Sequence, residues 1–219
     1  MSATQLRPAT LLQDRPGGLR VSMARASENG PLDTSSLSPE ELRRATQLQA
    51  PSDRHAYLTS HVLLRELLAE RLGCAPADVV FRREPCPLCG ELHGRPALRD
   101  TPPHFSLSRS GELILVALAD APVGVDVEAV AGAHAARELA PLLHREERAE
   151  IERRPEIFTQ IWARKEAYLK ALGCGIAGDL AADYLGYASD LDRPAGLELI
   201  DLELAPGYAG AVAVLVAAT

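Results

Sequence analysis

The stretch that decides the fold is residues 123–128, Val-Gly-Val-Asp-Val-Glu. Its alternating pattern predicts a buried β-strand in which Val125 and Val127 fill one face. Because side chains two positions apart share a face of a strand, Asp126 and Glu128 lie together on the other face. Two neighbouring carboxylates in an apolar strand require compensation, which Mg²⁺ with oxygen ligands would supply. The alternative is a strand end at which water solvates both acids.

A helix downstream of this strand offers a third carboxylate. The spacing of apolar residues predicts the helix from Glu156 to Leu172, and Gly173 ends it. Trp162, Glu166 and Lys170 recur every four residues and share one helical face. A solvated Glu–Lys pair is the ordinary interpretation of such spacing, but the apolar setting of the helix places some of its charge at the margin of a core.

The remaining elements predict a fold of two similar parts. The first part has a helix that is capped at Ser52 or Asp53 and ends at Gly73, followed by a β-hairpin. The second part has the strand described above, a polar helix around residues 135–153, the helix that ends at Gly173 and a closing hairpin. The two hairpins are predicted over residues 105–119 and 197–217.

We therefore expect an α+β fold of two α/β halves, residues 1–119 and 120–219, related by a pseudo-twofold axis. The default position of an active site in such an arrangement is the cleft between the halves.

The composition narrows the class of protein. The chain has 219 residues, a net charge of −7 and 4% aromatic residues, which argue against binding to nucleic acid by phosphate neutralisation or base stacking. Residues 1–18 lack the apolar segment of a secretory signal, and no apolar run reaches the roughly 20 residues of a membrane-spanning helix. Four cysteines without an export signal favour a reducing compartment. We expect a cytoplasmic protein with neither nucleic acid nor membrane as a partner.

Several motifs together resemble a known family. Residues 124–128 followed by residues 162–173 resemble the paired signature of the Sfp-type 4′-phosphopantetheinyl transferases. Upstream, residues 93–96, His-Gly-Arg-Pro, resemble the family's His-Gly-Lys-Pro segment, and residues 105–110, Phe-Ser-Leu-Ser-Arg-Ser, resemble its Phe-Asn-x-Ser-His-Ser segment. The ordered matches extend over residues 54–173, and four motifs in order are specific where each alone would be weak.

The resemblance implies a reaction and its partners. A member of this family transfers the 4′-phosphopantetheine arm of coenzyme A to a serine of an apo acyl or peptidyl carrier protein and releases 3′,5′-ADP. The pathway served would be fatty acid, polyketide or nonribosomal peptide synthesis. By the same resemblance Asp126, Glu128 and Glu166 would hold Mg²⁺, and the two-part chain resembles the monomeric branch of the family.

The resemblance also implies roles for individual residues. Lys170 would contact the pyrophosphate or stabilise the leaving phosphate. Glu147 matches an acid proposed as the base for the carrier serine, and Glu166 is a competing candidate. The matches for coenzyme A phosphate contacts are Arg54, Arg95, Ser108 and Arg109.

The sequence departs from the family pattern at two positions. Ser106 stands where asparagine is usual, and Arg109 stands where histidine is usual. Arginine keeps a phosphate-anchoring role but not one that needs a titrating imidazole. The departures leave open a degenerate member that binds coenzyme A or a carrier protein without turnover.

A separate motif has half of a zinc site. Cys86 and Cys89 form a Cys-x-x-Cys pair with His93 nearby, and Cys74 or His104 is a candidate fourth ligand. Neither spacing compels that ligand, so a reduced loop with packed thiols is the favoured interpretation. A zinc-stabilised binding module built on Cys86, Cys89 and His93 is the alternative function.

Overall fold

The computed structural model describes residue 7 and residues 9–99, 102–188 and 191–216. Its strands are β1 (Thr10–Arg15), β2 (Leu19–Arg25), β3 (Phe81–Arg83), β4 (Pro96–Leu98), β5 (His104–Ser110), β6 (Leu113–Ala119), β7 (Val123–Ala129), β8 (Leu197–Asp201) and β9 (Tyr208–Leu215). Its helices are α1 (Pro39–Thr46), α2 (Pro51–Leu72), α3 (Ala133–Leu139), α4 (Arg145–Arg153) and α5 (Phe158–Leu172). The mixed α/β class is confirmed.

The first part of the chain is an antiparallel sheet covered by one long helix. The sheet has the order β1-β2-β6-β5, and β3 pairs with β4 separately. Leu64 and Leu68 of α2 pack in one cluster with Ile114 and Val116 of β6. The predicted cap at Ser52 or Asp53 is wrong, since the N-cap residue is Ala50, which has no side-chain cap hydrogen bond. The helix begins at Pro51, because proline at the first position has no amide hydrogen that needs a partner. It ends at Gly73, whose φ of 67° closes it as predicted.

The second part repeats this layering with a smaller sheet of order β7-β9-β8. Ala167 and Ala171 of α5 pack against Ala211 and Ala213 of β9. Gly124 lets β7 pass directly beneath α5, because a Cβ at this position would lie 1.9 Å from the carbonyl oxygen of Ala167. Small residues therefore set a close approach between α5 and the strand that carries Asp126 and Glu128.

A ladder of serine hydroxyls joins the two larger sheets. Ser106, Ser108 and Ser110 of β5 alternate along one face of the strand. Their hydroxyl oxygens accept hydrogen bonds from the amides of Val125 (3.0 Å), Val127 (3.3 Å) and Ala129 (2.9 Å) of β7, respectively. An apolar layer that includes Leu113, Leu115, Val125 and Val127 packs beside this ladder. We call these three contacts the serine ladder.

The prediction of a single polar helix around residues 135–153 is wrong. Residues 140–142 form a short 3-10 turn between α3 and α4, because Pro141 cannot continue the hydrogen-bond ladder and Leu143 turns into the core. His144 then caps α4. The helix predicted from Glu156 likewise begins as a 3-10 turn, and its α-helical part starts at Phe158.

The pseudo-twofold relation and the division at residue 119 stay predictions, although β6 ends at Ala119 and β7 begins at Val123. Residue 217 of the predicted closing hairpin lies outside the described residues. Within the described ranges, no helix combines the length and the apolar character that crossing a bilayer requires.

Candidate functional site

Asp126 is the centre of the candidate site. Its side chain is buried, with only 3% of the residue exposed. Oδ1 accepts hydrogen bonds from Lys170 Nζ at 2.6 Å and from Ser108 Oγ at 2.8 Å. Oδ2 is buried and has no hydrogen-bond partner. An unpaired carboxylate oxygen in the interior is costly, so this atom is available to a ligand.

Lys170 and Ser108 complete the contact around Asp126. Lys170 reaches from the last turn of α5 and also donates to Ser108 Oγ and to the carbonyl oxygen of Val125, both at 3.2 Å. Ser108 donates its one proton to Asp126 and accepts from the Val127 amide. The structure thus brings together three residues that the sequence analysis assigned separately to metal, phosphate and coenzyme A contacts.

Glu128 and Glu166 add negative charge at the same place. Burial and the Asp126 charge raise the pKa of Glu128 to about 6, and the Lys170 charge opposes this. Burial and the Asp126 charge also raise the pKa of Glu166. Both carboxylates are half-buried. Desolvation and repulsion between like charges both raise the pKa of a carboxyl group, because each disfavours the ionised form.

The donor set fits a hard divalent cation. Asp126, Glu128 and Glu166 all supply carboxylate oxygens. The positive charge of Lys170 lowers the pKa values of Glu128 and Glu166 and so lies close to both. Oxygen ligands and an excess of negative charge suit Mg²⁺. The unpaired Oδ2 of Asp126 is the observation that most directly fits a carboxylate that binds a cation.

Glu147 lies in a different environment from these acids. Its carboxylate is fully buried and forms an ion pair with Lys165 Nζ at 2.9 Å. It also accepts hydrogen bonds from the amides of Leu185 (2.6 Å) and His144 (3.1 Å). Burial raises the pKa of Glu147 and lowers that of Lys165, while each charge opposes the shift of its partner. These contacts make Glu147 a tie between α4, α5 and the segment at Leu185, with no exposed surface for a substrate hydroxyl.

Two of the arginines assigned to coenzyme A are engaged in other contacts. Arg95 donates to Glu84 Oε2 and to the carbonyl oxygen of Ala171, both at 2.7 Å. It therefore ties the loop between β3 and β4 to the last turn of α5. Arg54 is exposed and donates to the carbonyl oxygen of Leu48 at 3.0 Å.

Arg109 lies beside a large cavity in the first part of the chain. Its guanidinium carbon is 5.3 Å from the ring centroid of Tyr57, which lines the cavity. The cavity has a volume of about 1340 Å³, and the acids of the candidate site are not among its lining residues. Phe105 and Leu107 of β5 face it, whereas the serine ladder of the same strand faces β7. The strand β5 thus borders both the cavity and the acidic site.

The cavity is rich in arginines that the sequence analysis did not single out. Its charged lining residues are Arg43, Arg44, Arg65, Arg82, Arg83, Glu40 and Glu41. The consecutive arginines at the end of α1 were the available signal, but a pair of arginines in the last turn of a helix is also an ordinary surface feature. None of the residues matched to coenzyme A phosphate contacts, Arg54, Arg95, Ser108 and Arg109, is among the residues that line this cavity.

Comparisons with known proteins give the chain relatives of one kind. A family model described as the 4′-phosphopantetheinyl transferase superfamily matches residues 122–201. A Synechocystis sp. protein provisionally named as such a transferase is 36% identical over 154 residues, which are 66% of this chain and 60% of that protein. The transferase HetI of Nostoc sp. is 30% identical over 177 residues, which are 77% of this chain and 73% of HetI. Sfp of Bacillus subtilis is 24% identical over 194 residues, which are 80% and 81% of the two chains.

The extent of these matches differs between relatives. The chain spans 60% of the length of the Synechocystis protein and 62% of the length of a Bacillus pumilus transferase. The range matched by the family model, residues 122–201, includes Asp126, Glu128, Glu166 and Lys170.

Proposed function

Since the chain belongs to the 4′-phosphopantetheinyl transferase superfamily, we propose that it transfers the 4′-phosphopantetheine arm of coenzyme A to a serine of an apo carrier protein. The serine oxygen attacks the phosphorus next to pantetheine, and the bond between that phosphorus and the bridging oxygen of the pyrophosphate breaks. The serine proton passes to a base, and 3′,5′-ADP leaves. The observation that carries the proposal is the buried, unpaired Oδ2 of Asp126 among three carboxylates.

We assign the metal site to Asp126, Glu128 and Glu166. A bound Mg²⁺ would neutralise the charge of the pyrophosphate that these acids would otherwise repel. Support comes from the raised pKa values of Glu128 and Glu166, whose causes are burial and the neighbouring Asp126 charge.

Lys170 acts on the leaving group in this proposal. Its ammonium contacts Asp126 Oδ1 and Ser108 Oγ, so it is fixed at the acids before substrate arrives. A preorganised ammonium stabilises charge that develops on the leaving phosphate without reorganisation during the reaction. Ser108 orients both partners through its three hydrogen bonds.

The proposed general base is Glu166. Its carboxylate is half-buried beside Asp126 and Lys170, at the place where the acids and the leaving-group lysine meet. Glu147 is the competing candidate, but its oxygens are already bound to Lys165 and to two backbone amides within the core.

We place the 3′-phosphate end of coenzyme A at the arginine-lined cavity, with Arg109 at its edge. Arg43 and Arg44 are exposed at the cavity and supply cationic side chains, whereas Arg65 is held by Glu41 and by backbone carbonyl oxygens. Arginine binds phosphate with two parallel hydrogen bonds. Arg54 and Arg95 hold backbone and Glu84 contacts instead, which gives Arg95 a positioning role at the end of α5.

We further propose which carrier proteins the enzyme modifies and how its chain is organised. The carrier protein belongs to fatty acid, polyketide or nonribosomal peptide synthesis, and the enzyme acts as a monomer. Its two halves, residues 1–119 and 120–219, share the site, since Ser108 comes from the first half and Asp126 and Lys170 from the second.

The test is a transfer assay with intact-protein mass spectrometry. With coenzyme A, Mg²⁺ and a panel of apo carrier domains, at least one carrier gains the mass of phosphopantetheine. Asp126→Asn lowers the rate by about 100-fold or more, because electrostatic stabilisation of this kind contributes that much in other enzymes. Glu152→Asn, at an exposed position of α4, is the control and retains full rate. No transfer to any carrier, together with coenzyme A binding in calorimetry, would instead support the degenerate binding protein.

A further inference from the structure

Cys86, Cys89 and His93 converge in the loop between β3 and β4. Their ligand atoms all lie within 4.8 Å of one another, and Cys89 Sγ is 3.0 Å from His93 Nε2. All four cysteines are free thiols. Two thiols and an imidazole at this separation match three corners of a tetrahedral zinc site.

The backbone of the loop is shaped around Cys86. The Gly90 amide donates to the Cys86 carbonyl oxygen at 2.8 Å, and the Cys86 amide donates to the Glu91 carbonyl oxygen at 2.8 Å. Gly90 has a φ of 79°, which lets the turn close after the second cysteine. The backbone amides of Leu88 and Cys89 are directed at the Cys86 sulfur.

Cys86 is buried, whereas Cys89 and His93 are exposed. The ligand set is therefore anchored on the protein side and open to solvent on the other, where an ion enters. Neither Cys74 nor His104, the fourth ligands considered from the sequence, belongs to the cluster. The interpretation as a reduced loop with packed thiols fits only in part, since the Cys86 thiol is packed and the Cys89 thiol is exposed.

We propose that Cys86 Sγ, Cys89 Sγ and His93 Nε2 bind one Zn²⁺, with water in the fourth position. The ion is separate from the acidic site, and it joins three side chains of one loop. It cross-links a loop whose backbone hydrogen bonds lie between residues 84 and 95.

The position of this loop gives the ion a consequence for the rest of the molecule. Arg95 follows the loop and binds the carbonyl oxygen of Ala171, next to Lys170. Glu84 precedes the loop and binds the same guanidinium. An ordered loop therefore holds Arg95 against the end of α5, and its collapse loosens that contact.

Metal analysis of the full chain tests the proposal. Protein purified under reducing conditions without chelator contains about one zinc per chain, because two thiolates and an imidazole bind zinc strongly. Cys74→Ser, which alters an exposed thiol outside the cluster, retains the zinc, and Cys89→Ser loses it. Asp126→Asn also retains it, which separates this site from the acidic one.

A spectroscopic measurement covers the case in which Cys89→Ser folds poorly. Co²⁺ added to zinc-depleted wild-type protein gives thiolate charge-transfer absorption and the visible bands of a tetrahedral ion. Asp126→Asn gives the same spectrum, since carboxylates contribute no thiolate absorption. Wild-type protein with reduced thiols that holds no zinc and gives no such cobalt spectrum would overturn the proposal, whatever its transfer activity.

Discussion

The two oxygens of Asp126 have different environments. Oδ1 is bound by Lys170 and Ser108, while Oδ2 is buried and unpaired. A single carboxylate can therefore fix the lysine that serves the leaving group and still offer an oxygen to a cation. The two-residue period of the strand predicted that Asp126 and Glu128 share a face, but it could not predict which oxygen would be left free.

Glu128 should make the metal-free protein less stable as pH rises. Its pKa is about 6 in the folded chain against 4.5 ordinarily, so its contribution is present below pH 4.5 and lost as pH rises through 6. We expect Glu128→Gln to be more stable than wild type at pH 8 by about 1 kcal/mol after allowance for solvent screening, and no different at pH 4.5.

Urea unfolding in the presence of a chelator measures this difference. Glu152→Gln, at an exposed position of α4, is the control for loss of a charge. Added Mg²⁺ reverses the order and favours wild type, because binding to the folded state stabilises it. An equal difference at both pH values would show that ionisation of the half-buried Glu128 is not the cause.

Glu147 and Lys165 form a buried ion pair whose role can be separated from catalysis. Removing one partner leaves a buried charge, so Glu147→Gln should destabilise the chain by about 3–5 kcal/mol. Adding Lys165→Met removes the orphaned charge and recovers part of that loss. We expect the double variant to keep the transfer rate of its folded fraction within about tenfold of wild type, whereas loss of a general base costs 10²–10⁴-fold.

Stability by urea unfolding and rate by single-turnover assay give the two readouts. A double variant that recovers stability but has a rate below a hundredth of wild type would assign the base to Glu147. The burial of this pair was not predictable from sequence, because glutamate and lysine side chains on helices are usually exposed to water.

At the scale of elements, the contact between β7 and α5 depends on Gly124. The helix positions Glu166 and Lys170 over the strand that carries Asp126, and no side chain at residue 124 fits between them. Sequence periodicity predicted both elements, and it predicted the ends of α5 at Gly173 and of α2 at Gly73. It did not predict the break between α3 and α4, because Pro141 is compatible with the first turn of a new helix as well as with a loop.

Gly124→Ala should separate α5 from β7. Its Cβ would lie 1.9 Å from the Ala167 carbonyl oxygen and 2.6 Å from the Ala171 amide nitrogen, so backbone must move. We expect a loss of about 3 kcal/mol in unfolding free energy and a large fall in transfer rate. Gly132→Ala is the matched control, since nothing lies within 4 Å of its Cβ and its φ of −66° suits alanine. Equal stability of the two variants in urea unfolding would contradict the close approach.

At the scale of the whole molecule, charge is unevenly distributed despite the net value of −7. Arginines collect around the cavity in the first part of the chain, and carboxylates collect beneath α5 in the second. The family motifs predicted the acidic half of this arrangement. They did not predict the arginines of α1, whose positions at the cavity depend on how α1 packs beside α2.

Arg109 and Arg54 should differ in their effect on coenzyme A binding. Arg109→Ala removes a guanidinium at the cavity edge, and we expect the KM for coenzyme A to rise about tenfold with little change in kcat. Arg54→Ala removes only a contact with the Leu48 carbonyl oxygen and leaves KM unchanged. Steady-state kinetics with varied coenzyme A decides. A larger effect at Arg54 would move the phosphate site along α2, away from Tyr57.

The serine ladder has a consequence for how the chain avoids self-association. β5 and β7 are each the last strand of their sheet, and such strands expose amides that can recruit a strand from another molecule. In the folded chain the outward amides of Val125, Val127 and Ala129 are already bound by serine hydroxyls. The two edges thus shield each other without merging into one sheet. Until β7 has been synthesised and docked, the β5 edge is bare, so aggregation during folding should be most severe for chains that stop just after β6.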